Sequence, residues 1–326
     1  MRLDQVLSFR NSRIHDAAEY ALEQLLTAQY PIGAWPQRFS QPPADAAELP
    51  VRQAGYPKSW SRTFPGRDYQ GFYTLNDNAL ADTIEVMFQA AEVYGNDRYR
   101  AAAVRGGEFL LLAQLSEPQP AWAQQYSLQM EPAWARKFEP PSVTGGESQG
   151  VLRTLLQVYL RTGDRRFLEP IPRAVAYFRR SQLPDGSLAR FYELKTNRPL
   201  YFTKDYRLTY EDDDLPTHYA FTVGSGIERI ARRYEQIAGW DEAARMREVA
   251  RLTDVAPRPS GEPSPRLIQS VRTVVEQLDD QGRWLEEGRM KYHGDEDRTR
   301  RIIDCRTFVR NVQTLSEYLS CFRGGE

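Results

Sequence analysis

Four segments of this chain repeat one plan, and that repeat limits what the chain can fold into. HDAAEYALEQLLTAQYPIGAWPQRF, AAVRGGEFLLLAQLSEPQPAWAQQY, IPRAVAYFRRSQLPDGSLARFYEL and LIQSVRTVVEQLDDQGRWLEEG each read as an amphipathic helix running to a glutamine: Gln29, Gln114, Gln182 and Gln277. A Pro/Asp/Gly turn follows, without the glycine in the second copy. A few extended residues then carry Trp35, Trp122, Leu188 or Trp284. Ala21, Leu22, Leu25 and Leu26 show the apolar spacing of a helix face.

Helices of a second kind lie between the copies. One runs from about Leu80 to Tyr94 and stops at Gly95-Asn96-Asp97, another stops at Gly163-Asp164, and a third at Gly239-Trp240-Asp241. Glycine just past the last periodic residue is a helix stop. A final helix spans about Asp304 to Cys321. The period, roughly 68 to 95 residues, exceeds that of short helical solenoids. The spacing predicts an all-α fold: an (α/α) toroid of antiparallel helix pairs, with long loops forming a groove and a few short β-strands. An open stack is the competing architecture. The repeat continues across the Pro/Gly-rich stretches 41–65 and 256–265, so residues 1–326 read as a single domain.

Long loops on a rigid scaffold are where function concentrates. GSLARFYELKTNRPLYFTKD, Gly186 to Asp205, is the loop richest in chemistry. It holds Arg190, Lys195, Arg198 and Lys204, with Phe191, Tyr192, Tyr201 and Phe202 threaded between them. Guanidiniums grip carboxylates bidentately and aromatic faces suit sugar rings. The pattern points to an acidic sugar polymer; the plain alternative is a β-hairpin edge with solvated cations. The net charge of −1 makes any anion site local and argues against nucleic acid as partner. No apolar run is long enough to span a membrane. MRLDQVLSFRNSRIHD lacks the apolar core of a signal peptide. A monomer is the favoured state.

Two further segments carry polar chemistry ahead of helices. In YTLNDNALADTIEVM, Asp77 and Asn78 either cap the helix or face the groove as oxygen ligands for a hard cation. One carboxylate is too few for calcium, so substrate carboxylates would have to complete the shell. In EPAWARKFEPPSVTGGESQGVL, Arg136 and Lys137 precede a helix start where Thr144 or Ser148 is the expected cap and Glu147 a dipole or capping carboxylate. The acidic run Glu211 to Asp214 reads as a solvated loop. His15, His218 and His293 are scattered and read as structural or surface residues. Cys305 and Cys321 lack metal-site spacing and read as buried free thiols, set too far apart for a disulfide.

QYPIGAWPQRF, TLNDNALADTIEVM, PAWARKFEPPSVTGGES and ARFYELKTNRPLYFTKD together resemble, in order, segments of the family 10 pectate lyases, over roughly residues 20–215. The resemblance implies an (α/α) toroid that cleaves polygalacturonate by calcium-assisted β-elimination, in a secreted or periplasmic setting. It implies an arginine base taking the proton at C5, with metal and cations stabilising the enolate-like charge. Carried over by position, Lys204 falls at the family's base position, where lysine replaces arginine. Arg190 matches the ARFY arginine, Arg136 or Lys137 a substrate-gripping cation, and Asp77 an acidic ligand joined by Asn78. Arg198 and Tyr192 complete the expected substrate contacts. The family's earlier acidic T-I-D-N-D unit has no counterpart before GAWPQ, which implies one acidic ligand fewer. Two other readings fit the same residues. One is a non-catalytic binder of acidic polysaccharide. The other is a glycoside hydrolase using Asp77 and Glu147 as its facing carboxylates.

Overall fold

The computed structural model describes residues 1–41, 46–66, 68–253, 262–290 and 296–322. The chain divides into two compact units, Leu22–Arg251 and Met1–Ala21 with Leu252–Glu326. His293 and most of the 256–265 connection lie outside the described residues. The repeat copies supply α2 (Ser12–Thr27), α4 (Asp97–Ala113), α6 (Pro170–Arg180) and α9 (Pro265–Glu276). The second kind are α3 (Ala79–Tyr94), α5 (Gly145–Thr162), α7 (Ile227–Ala238) and α10 (Cys305–Ser320). Among the described residues, two helices fall outside the plan, α1 (Arg2–Val6) and α8 (Glu242–Thr253). The fold is of the helical (α/α) class that the repeat predicts. No described helix is long and apolar enough to cross a membrane.

The tryptophans explain why the repeat exists. Trp35, Trp122 and Trp284 each donate their indole N–H to a carbonyl of the preceding helix: Leu25, Leu110 and Val274, all at 2.8 Å. Each ring thereby folds the extended segment back onto its own helix and satisfies a carbonyl near the helix end. Two tyrosines repeat a second tie. The Tyr126 hydroxyl donates to the Ala113 carbonyl at 2.6 Å and accepts from the Ala123 N–H. The Tyr192 hydroxyl likewise donates to the Ser181 carbonyl at 2.6 Å and accepts from the Ala189 N–H.

Gly95 and Gly163 end α3 and α5 in the left-handed conformation, as glycine stops should. Gly239 ends α7 in a right-handed one, so it serves as a stop without needing glycine's freedom. Cys305 and Cys321 are free thiols, but they are not buried as expected. They sit at the two ends of α10, where Cys305 is exposed and Cys321 half-exposed.

The strands are short and cluster in the loops of the larger unit. β1 (Tyr73–Thr74) pairs with β2 (Gln125–Tyr126), and β4 (Leu188–Ala189) pairs with β8 (Thr222–Val223). β3 (Ser142–Thr144), β5 (Phe191–Glu193), β6 (Pro199–Phe202) and β7 (Leu208–Thr209) form one antiparallel sheet in the order β3-β5-β6-β7. In the smaller unit β9 (Glu286–Glu287) pairs with β10 (Arg301–Ile302). The four-stranded sheet is covered on both faces. Phe191, Leu200, Tyr201, Phe202, Phe221 and Trp134 form an apolar cluster there. The aromatics threaded between the loop cations are therefore core, not a sugar-facing lining.

Candidate functional site

Arg190 sits at a switch between two sheets. The chain leaves β4, which pairs with β8, and enters β5, which pairs with β3. The Arg190 backbone is fixed on both sides: its N–H donates to the Phe221 carbonyl at 2.8 Å, and its carbonyl accepts from the Gly145 N–H at 3.1 Å. A Cβ on Gly145 would lie 2.4 Å from the Ala189 carbonyl oxygen, so only glycine lets α5 start this close to the sheet. The side chain is fixed too. Nε donates to the Ala220 carbonyl at 2.5 Å, and the guanidinium lies 4.8 Å from the centre of the Tyr219 ring.

The guanidinium enters a pocket of about 210 Å³ whose wall includes Asp77, Asn78, Arg136, Glu147, Arg190 and Tyr219. Arg136 is gripped by the fully buried Glu139, with Nε to Oε2 at 2.9 Å and Nη2 to Oε1 at 2.9 Å. Tyr219 donates its hydroxyl to the same carboxylate at 3.1 Å. Asp77 Oδ2 stands 3.7 Å from Arg136 Nη2. Desolvation alone would lower the Arg136 guanidinium. The hydrogen bonds and charge of Glu139, with Asp77 behind them, outweigh it and hold Arg136 above its ordinary value. Desolvation, with Glu139 close by, raises the Tyr219 phenol.

Glu147 lies at the back of this pocket in the first turn of α5. Its Oε1 is 3.7 Å from Arg190 Nη1, while its buried Oε2 has no partner. Burial raises its carboxyl, opposed by its own backbone N–H and by Arg190. The Thr144 hydroxyl is directed to the Trp122 carbonyl, and the Ser148 hydroxyl also bonds Trp122, so neither side chain caps the backbone of α5.

Asp77 and Asn78 do not cap α3 through their side chains. They form a single turn, Asn76–Asn78, in which both occupy the left-handed region, with φ of 53° and 59°. Two adjacent non-glycine residues there are unusual, and Asp and Asn tolerate it best. The turn aims the Asp77 carboxylate outward, 73% exposed, into the pocket.

The other expected residues stand elsewhere. Lys204 does not line the pocket; its Nζ pairs with Asp214 at 3.0 Å, and its side chain is 65% exposed. The turn in which Tyr206 N–H bonds back to the Thr203 carbonyl carries it outward. Lys137 is exposed, with Nζ 3.6 Å from the centre of the Tyr206 ring. Arg198 stacks on Tyr210 at 3.5 Å on the exposed β5–β6 turn. Tyr192, expected to contact substrate, is 1% exposed and committed to the tie on Ser181; it is a structural residue. Asp214 answers Lys204, so the acidic run is more than solvated charge. His218 is exposed beside Tyr206 and Phe138.

Sequence reasoning missed Glu139 and Tyr219. Glu139 had a signal, an acid three residues after Arg136; Tyr219 had none, because only the fold brings it back over Arg190. Among the described residues no group of three or more His, Cys, Asp or Glu side chains gathers for a metal. Asp77 and Asn78 supply hard oxygen donors, the right chemistry for calcium, but too few alone. The donor set fits that ion only when substrate carboxylates complete its shell.

The family model for pectic acid lyase matches residues 6–188, more than half of the chain. Among solved structures, the chain is similar to the family 10 polysaccharide lyase from Cellvibrio cellulosa. The identity is 22%, over 70% of this chain and 74% of that one, with a TM-score of 0.52. A mutant of that family 10 lyase, in complex with trigalacturonic acid, is similar at 22% identity over 71% of this chain and 75% of that one, again with a TM-score of 0.52. At this identity the likeness is one of fold. No curated protein matches the chain.

Proposed function

The chain belongs to the pectic acid lyase family, and from that premise we propose that it cleaves a uronate polymer such as polygalacturonate by β-elimination in the pocket between Asp77, Arg136 and Arg190. The observation that carries this reading is the convergence of two guanidiniums and one exposed carboxylate in a single pocket. Elimination α to a carboxylate builds negative charge in its transition state, which preorganised cations stabilise. Glycoside hydrolysis builds an oxocarbenium-like positive charge. Asp77 and Glu147 share the pocket, but two guanidiniums aimed into it oppose that second chemistry.

Arg190, held by Ala220 and the Tyr219 ring, grips the uronate carboxylate and takes up the enolate charge. Arg136, which Glu139 keeps charged, adds a second cation to that developing charge as C5 loses its proton to solvent and the C4–O bond breaks to leave the unsaturated end. Glu139 fixes the Arg136 Nε and Nη2 and leaves Nη1 for substrate. Asp77 and Asn78, together with substrate carboxylates, would hold calcium, which would neutralise the uronate and make its C5 proton more acidic. Lys204, expected as the base, is given no role in this reading, because it is outside the pocket lining and pairs with Asp214. The trigalacturonic acid bound to the Cellvibrio cellulosa mutant supports the choice of an acidic polysaccharide.

The test is absorbance of unsaturated ends when polygalacturonate and calcium are supplied at pH 7 to 10. A rise that needs both is the expected result. Saturable binding of oligogalacturonate without turnover would leave a binding protein, and hydrated ends a hydrolase. Silence in both binding and turnover overturns the reading.

A further inference from the structure

A second cationic groove lies along α5 and α7. It has a volume of about 620 Å³, room for more than the one sugar that the first pocket suits. Arg153 comes from α5, and Arg229 and Arg232 from α7. None of the three is in an ion pair among the described residues. Glu228, the carboxylate on the groove wall, is turned to Arg179, with both contacts at 2.8 Å.

The geometry brings two of these cations to one point. A Cβ on Gly226 would lie 3.4 Å from Arg229 Nη2 and 3.9 Å from Arg153 Nη1. The floor beneath them is built and rigid. Buried Gln149 donates to the carbonyls of Gly145 and Gly224 at 2.9 and 3.2 Å and accepts from the Gly226 N–H at 2.6 Å. Arg153 and Arg229, neither in an ion pair among the described residues, repel each other, and an anion bound there relieves that repulsion. Partial desolvation, and Arg229 beside it, push the Arg153 guanidinium below its ordinary value.

Gly146 joins this groove to the pocket. It lines both cavities, and a Cβ on it would lie 4.0 Å from Arg190 Nη1. With no side chain at that position, nothing at residue 146 blocks a chain running from one cavity to the other.

We propose that the Arg153–Arg229–Arg232 groove is a second anionic subsite, which holds the carboxylate of a uronate further along the same polymer strand. This rests on the uronate-polymer reading above. The groove would make binding depend on substrate length: short oligomers fill the pocket alone, longer ones reach the arginines.

The experiment is titration calorimetry of the full chain with digalacturonate and hexagalacturonate at about pH 6, where removal of the C5 proton is slow. Arg153→Gln/Arg229→Gln keeps most of each apolar stem while removing both charges. The wild type should bind the hexamer more tightly than the dimer. The double variant should lose about tenfold to a hundredfold of hexamer affinity, the range of a lost charge-assisted hydrogen bond or two, with dimer affinity unchanged. Arg190→Ala should weaken both ligands. If the double variant binds hexamer as the wild type does, or loses both ligands equally, the groove proposal falls while the lyase reading stands. If the wild type binds neither ligand, the lyase reading falls and the groove with it.

Discussion

Arg136 is gripped at Nε and Nη2 by a carboxylate at 2.9 Å, closer than the 3.7 Å approach of Glu147 to Arg190. One buried carboxylate fixes its orientation, and Tyr219 fixes that carboxylate. Truncating Arg136 to Ala also leaves Glu139 buried beside a single phenol, so Arg136→Ala should cost at least ~100-fold in kcat/KM on polygalacturonate. Lys204→Met should cost less than about threefold, because Lys204 meets only Asp214 at the surface. Initial rates of the two variants decide between them, and the reverse ranking would make Lys204 the catalytic group. Glu147 makes a separate prediction, about stability. Folded, its carboxyl keeps its proton to higher pH than the ordinary value of 4.5. Above that value the folded state binds more protons than the unfolded, so Glu147 makes stability fall as pH rises. Glu147→Gln removes this dependence, at the cost of the Arg190 contact. Relative to wild type, its melting temperature should be higher near pH 8 than near pH 4. Calorimetric melting across that range checks it, and a pH-independent difference contradicts it. At this scale the sequence revealed cations and carboxylates but not their pairings. Arg136 and Asp77 were legible as charged loop residues beside helix starts, and Arg190 as a cation in the loop that follows a helix. That Lys204 would face Asp214, and Tyr219 stack on Arg190, depends on how the 203–221 loop folds back.

At the scale of elements, the turn Asn76–Asn78 links backbone strain to the site. Asp77 and Asn78 take left-handed φ at a cost of about 1 kcal/mol each, and the compensation is an outward carboxylate. Asp77→Gly should therefore leave stability unchanged or raise it by up to ~1 kcal/mol while depressing activity strongly, since glycine enters this region freely. Paired urea melts and rate measurements test this. A loss of both together would make Asp77 structural. The tyrosine ties predict the opposite pattern. Tyr192→Phe strands the Ser181 carbonyl and the Ala189 N–H in the interior, which should cost about 2 kcal/mol of stability with KM little changed. A raised KM at unchanged stability would restore Tyr192 to the substrate. N-D-N before an apolar run fits either a helix cap or a groove-facing ligand turn; the missing side-chain cap bond and the left-handed dihedral angles distinguish them. Tyr192 was read as a sugar contact because its neighbours are cations, and a sheet covered on both faces buries it instead. The tryptophan copies, by contrast, were fully legible, because one indole bond recurs at nearly constant spacing.

For the molecule as a whole, the helical class followed from the repeat, and the absence of a global basic field followed from the composition. A net charge of −1 cannot draw a polyanion from a distance. Attraction must come from local clusters: Arg136 and Arg190 in the pocket, and Arg153, Arg229 and Arg232 in the groove. Much of this charge is solvent-accessible, so dissolved ions screen it. The screening length falls from about 10 Å at 0.1 M salt toward 3 Å at 1 M. Raising salt from about 50 to 500 mM should then increase KM for polygalacturonate several-fold. The chemical step depends on contacts shorter than the screening length, such as Arg136 to Glu139 at 2.9 Å, so kcat should change by less than about twofold. Steady-state kinetics with a non-chelating salt at fixed calcium separates the two constants. A KM that ignores salt would mean that apolar or hydroxyl contacts, rather than these arginines, hold the polymer. A kcat that collapses with salt would place the decisive charges in the chemical step itself.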